Sequence, residues 1–169
     1  AFAVLPVNIR FVAKDILKYV PFLGWYMSLT GMIFINRSHR EKAIKSLALA
    51  GKRIREGANI LAYPEGTRSR ERTILPFKKG AFVLAIAAGV PIIPVAIEGS
   101  GGVLPPRGFR IRPGLVRLKI GRPIETKNRT PDQREQLLRE VRDEMIRLHL
   151  DIGGKGGVGN AIAAAGVEG

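Results

Sequence analysis

The chain has no cysteine and only two histidines, His39 and His149, far apart along it. That excludes disulfides and thiolate metal sites and leaves little from which to build a metal centre. The lack of cysteine also fits a reducing compartment. Acid is scarce too: 14 Asp and Glu stand against 28 Lys and Arg, a formal charge of +14. So basic a molecule seeks anionic partners, whether nucleic acid, a phospholipid surface or a phosphorylated small molecule. Long apolar runs are missing as well. Val20 to Ile35 and Gly80 to Ile97 are uncharged, but both fall at or below the roughly 20 residues of a spanning helix, and Pro21, Gly24, Gly31, Gly89 and Pro91 interrupt them. The opening Ala-Phe-Ala-Val-Leu-Pro has neither a methionine nor a basic leader, so the chain is expected to be a fragment of a longer reading frame. Walker loops, dinucleotide fingerprints, zinc spacings and internal repeats are all absent from the sequence.

What remains is one domain's worth of chain, 169 residues with 46% hydrophobic content. Residues 1–151 are expected to form an α/β domain, and 152–169, where glycine and alanine dominate, a flexible tail. Asn8 to Lys14 reads as a first strand. The next stretch gathers Tyr19, Phe22, Trp25 and Tyr26 beside Lys14 and Lys18. Such a mixture suits a bilayer interface, the wall of an acyl groove, or a helix that packs its rings into the core. Gly31 to Ile35 is a short apolar strand ending at Asn36-Arg37-Ser38. Ser38 and Glu41 have capping-box spacing, and Ile44, Leu47, Ala50 and Ile54 follow at helical intervals until Gly57. The opposite face, with Lys42, Lys45, Lys52, Arg53 and Arg55, is either solvated or turned to an anionic surface.

Asn59 to Tyr63 restores a strand, and the strand, helix, strand order predicts a parallel sheet, whose ligands bind beyond the carboxyl ends of the strands. Ala81 to Ala88, apolar on all sides and closed by Gly89, predicts a buried helix. Pro91 to Ile97 follows as a strand in which Pro94 makes one ladder bond dispensable. Glu98 to Pro113 is a loop with Arg107, Arg110 and Arg112, and Leu115 to Ile120 a further strand. Thr130-Pro-Asp-Gln opens a helix with Leu137, Leu138, Val141, Met145 and Leu148 on one face, which should cover the sheet. His149 at its end fits the helix dipole. The expected class is therefore α/β, a mostly parallel or mixed sheet flanked by helices.

Chemistry concentrates in Tyr63-Pro-Glu-Gly-Thr-Arg-Ser-Arg70, directly after a strand. Pro64 cannot continue a ladder, and Gly66 permits a sharp turn. Arg68 offers a planar fork of donors suited to phosphate or carboxylate, and Glu65 two acceptors for a hydroxyl or for that arginine. Taken alone, these residues fit either a polar site or an ordinary surface turn.

Their companions in order, Gly31-Met-Ile-Phe-Ile-Asn-Arg37 before and Gly89-Val-Pro-Ile-Ile-Pro-Val95 after, resemble the second, third and fourth motif blocks of the glycerolipid acyltransferases. Phe11-Val-Ala-Lys14 and Phe77-Lys-Lys-Gly80 fall in register with them, and the resemblance covers roughly residues 5 to 125. It implies transfer of an acyl chain from acyl-CoA or acyl carrier protein to the free hydroxyl of lysophosphatidic acid, giving phosphatidic acid at the cytoplasmic face of an anionic membrane. No metal or redox cofactor and no nucleic acid are implied. On this resemblance Arg37 and Arg68 clamp the phosphate, Glu65 holds the glycerol hydroxyl or orients Arg68, Gly66 and Thr67 shape the loop, and Lys78 adds positive potential. The family's first block, a His, four residues and an Asp, is missing: Ile44 stands five after His39 and Gly154 five after His149. That block, with its general base, is expected upstream of Ala1, leaving the chain able to bind but inert. From a different class, a non-catalytic basic module binding anionic lipid or RNA would also fit the charge.

Overall fold

The structure is a computed structural model that describes residues 9–35, 50–105 and 110–157. The first strand, β1 (Ile9–Lys14), is the centre of a parallel three-stranded sheet in the order β2-β1-β3, with β2 at Ile33–Ile35 and β3 at Asn59–Leu61. The two neighbours divide β1 between them. Its first half, Ile9 to Phe11, pairs with Asn59 to Leu61, and its second half, Val12 to Lys14, with Ile33 to Ile35. β2 thus ends three residues further along the sheet than β3, about 10 Å at 3.3 Å per residue. The carboxyl ends of both point to the same edge.

Between β1 and β2 the chain makes a 3-10 turn, Asp15–Tyr19, and a short helix, α1 (Leu23–Leu29). Its aromatics do not pack inward. Tyr19, Phe22, Trp25, Tyr26 and Leu29 are all exposed, which removes the core-packing alternative for this stretch. The capping box at Ser38, His39 and most of the helix expected after it lie outside the described residues. Residues 50–55 are helical and stop at Gly57, where φ is 89°, as the spacing predicts.

The helix α2 (Gly80–Ala88) explains its own composition. Phe82 and Leu84 are two positions apart, 200° around a helix, so they face opposite ways. Phe82 joins a core cluster with Ile74, Phe77, Leu137, Val141 and Ile146, and Leu84 joins Ala50, with Ile54 and Ile60 beside them. Val83 and Ala87, on a third face, are exposed although apolar. Gly89, left-handed at φ 65°, closes it.

The strand expected at Pro91 to Ile97 is divided. Ile92 makes one bridge with Ile124, and the regular strand β4 starts only after Pro94, at Val95–Glu98. It pairs antiparallel with β5 (Arg117–Ile120) in a separate two-stranded ladder. The loop between them carries a single helical turn, α3 (Ser100–Val103). The last helix, α4 (Arg134–Asp151), is opened by the Thr130/Gln133 capping box and packs along β4 and against α2. Of the stretch expected to be flexible, residues 152–157 are folded against the domain: Gly156 and Gly157 are buried, and Ile74 bridges to Gly157 in parallel.

Candidate active site

The loop after β3 is built by its own backbone. The Gly66 amide donates to Tyr63 O at 3.1 Å, closing a tight turn over Pro64 and Glu65, and Gly66 itself sits at φ 72°. That left-handed conformation strains any residue with a Cβ. The chain then doubles back on the loop. Thr73 N–H donates to Ser69 Oγ at 3.1 Å, Leu75 N–H to Glu65 Oε2 at 2.8 Å, and Lys78 N–H to Pro64 O at 2.8 Å. Three amides of the 73–78 segment thereby clasp the turn at three successive heights.

The clasp sorts the side chains. Thr67 and Arg68 are exposed, as is Lys78, whose amide is tied to Pro64 O. Glu65 turns the other way, half-buried, its Oε2 held by the Leu75 amide. Burial pushes the Glu65 carboxyl above its ordinary pKa; the Leu75 amide and the electrostatic influence of His149 and Arg142 lower it, without cancelling the effect. Of the residues singled out in the sequence, Glu65, Gly66, Thr67, Arg68 and Lys78 are brought together here. Arg37 lies outside the described residues.

His149 has a different environment from the one its position suggests. It is 4% exposed, and its Nε2 lies 2.8 Å from Glu98 Oε2 at the end of β4. Its ring is covered by Gly154, where an added Cβ would fall 2.3 Å from the imidazole carbons and nitrogen. A buried ring engaged in this way ties α4 to β4 and is closed to a substrate hydroxyl. Thr126 is likewise hidden from sequence reasoning: fully buried, it donates toward Ala85 O at 3.0 Å and Val90 O at 2.7 Å, covering the carboxyl end of α2. Neither role has a local signal, since the partners are 51 and 41 residues away. The density of glycine in Gly-Gly-Lys-Gly-Gly157 was the one available hint, because close backbone approach requires glycine as much as flexibility does.

A turn beyond a strand end that exposes an arginine, with Lys78 tied to it through its backbone and a half-buried acid beneath, carries donors suited to an anionic group. The acyltransferase family model matches residues 1–98, and the chain belongs to that family. Its relatives are more specific. It is 39% identical to the 1-acyl-sn-glycerol-3-phosphate acyltransferase of Saccharomyces cerevisiae, over 89% of this chain and 50% of the relative. It is also 39% identical to the Escherichia coli enzyme of the same name, over 79% of this chain and 54% of the relative. Among solved structures it is similar to the 1-acyl-sn-glycerophosphate (LPA) acyltransferase PlsC from Thermotoga maritima, with a TM-score of 0.74 and 29% identity over 87% of this chain and 58% of that one. The chain spans about half the length of the curated relatives it matches.

Proposed function

We propose that this chain carries the lysophosphatidate-binding part of a 1-acylglycerol-3-phosphate acyltransferase, which moves an acyl group from acyl-CoA or acyl carrier protein onto the acceptor's free hydroxyl to give phosphatidate. One observation carries the reading: the clasped turn after β3, which leaves Arg68 exposed and ties the backbone of the exposed Lys78 to Pro64 O. A phosphomonoester brings two negative charges and three terminal oxygens, and a guanidinium fork with an ammonium beside it matches both. Arg37, two residues beyond the end of β2, is the second guanidinium of the clamp in this reading. Glu65 lies below the turn, where it shapes the floor; its Leu75 bond favours that structural part over direct contact with the glycerol hydroxyl. Transfer needs no metal or redox group: the hydroxyl oxygen attacks the thioester carbonyl and the thiol leaves. The residues assigned here hold the acceptor and take no part in moving the proton.

The exposed rings of Tyr19, Phe22, Trp25 and Tyr26 support work at a membrane surface. Phe22 is held at φ 61°, a strained conformation for a residue with a Cβ, and its ring is 79% exposed with its edge against Trp25 at 5.6 Å. Amphipathic rings of this kind settle at the headgroup level of a bilayer. Among the described residues no helix is long and apolar enough to cross a membrane. In this reading the surface is the cytoplasmic, anionic one.

Calorimetric titration with short-chain lysophosphatidate, and with lysophosphatidylcholine as the control, tests the assignment. Arg68→Ala should weaken lysophosphatidate binding by about tenfold or more, the worth of one charge-assisted contact, and leave the choline lipid unchanged. Equal loss for both lipids, or none for either, would reject the clamp and favour a general basic module.

A further inference from the structure

Beyond β5 the chain returns to the loop that the sequence made prominent, and it does so through glycine. From the end of α4 the backbone turns at Gly153, passes Gly154 across the face of the His149 ring, and lays Gly156 and Gly157 beside Ile74. Ile74 N–H donates to Gly156 O at 2.8 Å, and the next amide along, Leu75 N–H, donates to Glu65 Oε2 at 2.8 Å. Two consecutive amides thus point in opposite directions, one into the strap and one into the turn. Any shift of Gly156 moves Ile74, and Leu75 moves with it.

We propose that residues 153–157 form a positioning strap for the Pro64–Arg68 turn, anchored on His149 and transmitted through the Ile74–Leu75 peptide. The proposal rests on the lysophosphatidate reading for what the turn binds, but not for how the turn is held. Three features make this more than a glycine-rich connection. The strap is seated on a fixed floor, because His149 is buried and held by Glu98 at 2.8 Å, so the ring cannot yield to a passing side chain. It has no room: a Cβ at Gly154 would lie 2.3 Å from the imidazole, and one at Gly157 2.5 Å from Ile146 Cδ1. It also runs opposite to what its composition suggests, since Gly156 and Gly157 are buried in a segment rich in the most flexible residue. These residues lie beyond the part of the chain that the family model matches, residues 1–98. The acceptor loop and its support thus come from distant parts of the sequence, 82 residues apart at the Ile74–Gly156 bond.

The direct test replaces Gly154 by alanine and follows amide hydrogen exchange in the folded chain by NMR. Displacing the strap should speed exchange at Ile74 and Leu75 by at least tenfold, with Val141 in the middle of α4 unchanged. His149→Ala, which takes away the ring on which Gly154 is seated, should likewise speed exchange at Leu75 and leave Val141 unchanged. Unchanged exchange at Leu75 in Gly154→Ala overturns the proposal, as does loss of protection at Leu75 and Val141 in step. If Gly154→Ala fails to fold, a chain ended at Ile152 makes the same comparison; failure of both to fold also overturns it, because the segment would then belong to the general core. Short-chain lysophosphatidate provides the functional readout, with binding to Gly154→Ala weakened several-fold. A wild-type chain that does not bind this lipid counts against the proposed function, and the exchange result still decides the strap.

Discussion

Glu65 shows how one side chain can be set by its backbone neighbours rather than by its ligand. It lies in the loop whose sequence invites pairing with Arg68, yet its Oε2 faces Leu75 N–H. Its raised pKa has a testable sign. A carboxyl whose folded pKa exceeds the ordinary 4.5 binds more protons folded than unfolded, so stability falls as pH climbs from that value through the folded pKa. Glu65→Gln keeps an acceptor for the Leu75 amide and removes the charge. Its denaturant midpoint should therefore gain on wild type as pH rises through this window and then hold a constant lead. A gap that does not change with pH would show that burial of the charge is not costly here. Thr126 is the second informative residue. Thr126→Val keeps the shape but removes the hydroxyl that bridges Ala85 O and Val90 O, which should cost about 1–2 kcal/mol in chemical denaturation. A loss confined to a few tenths would mean the amides of Gly89 and Val90 already satisfy the end of α2.

At the scale of elements, legibility followed the range of the forces involved. β1, the end of the helix before Gly57, α2 and the capping box of α4 were all readable, because propensity, periodicity and capping act within a few residues. The all-apolar character of α2 was read as burial, which holds for the opposed faces of Phe82 and Leu84 that serve two clusters, but not for Val83 and Ala87, which are exposed. The tight turn with Gly66 and the cluster around it were also readable from the residues and their resemblance. Three things were not. The strand after Gly89 starts late because Pro94 cannot donate an amide to a ladder; its carbonyl is used instead, accepting Gly121 N–H at 2.8 Å. The rings of the 3-10 turn and α1 left three alternatives open, and only the fold shows that they face outward. The pairing of His149 with Glu98 and the seating of Gly156 on Ile74 are tertiary contacts with no local signature. His149 does stand in the last turn of its helix, as the sequence indicates, but its contact with Glu98 adds a tertiary tie that the helix-end position does not reveal.

For the whole molecule the unbalanced charge and the exposed rings act together, and they separate by their response to salt. On the proposed membrane reading, the surplus of cations, 28 against 14 acids, supplies a long-range attraction to an anionic leaflet. On the same reading the exposed rings of Phe22 and Trp25 add a short-range part that buries apolar surface and that salt does not screen. Raising ionic strength from about 0.1 M to about 1 M shortens the Debye length from about 10 Å to about 3 Å, so the electrostatic share of vesicle affinity should largely vanish. Wild-type binding to vesicles rich in anionic phospholipid should fall steeply over that range and level off at a residual set by the rings. The Phe22→Ala/Trp25→Ala chain should lose the residual and keep the salt-sensitive part, with an unchanged melting temperature because both rings are already exposed. Cosedimentation with vesicles at the two salt concentrations reads both components. A double variant with the same high-salt binding as wild type would remove these rings from the membrane contact, and a wild type indifferent to salt would mean the positive charge is spent elsewhere.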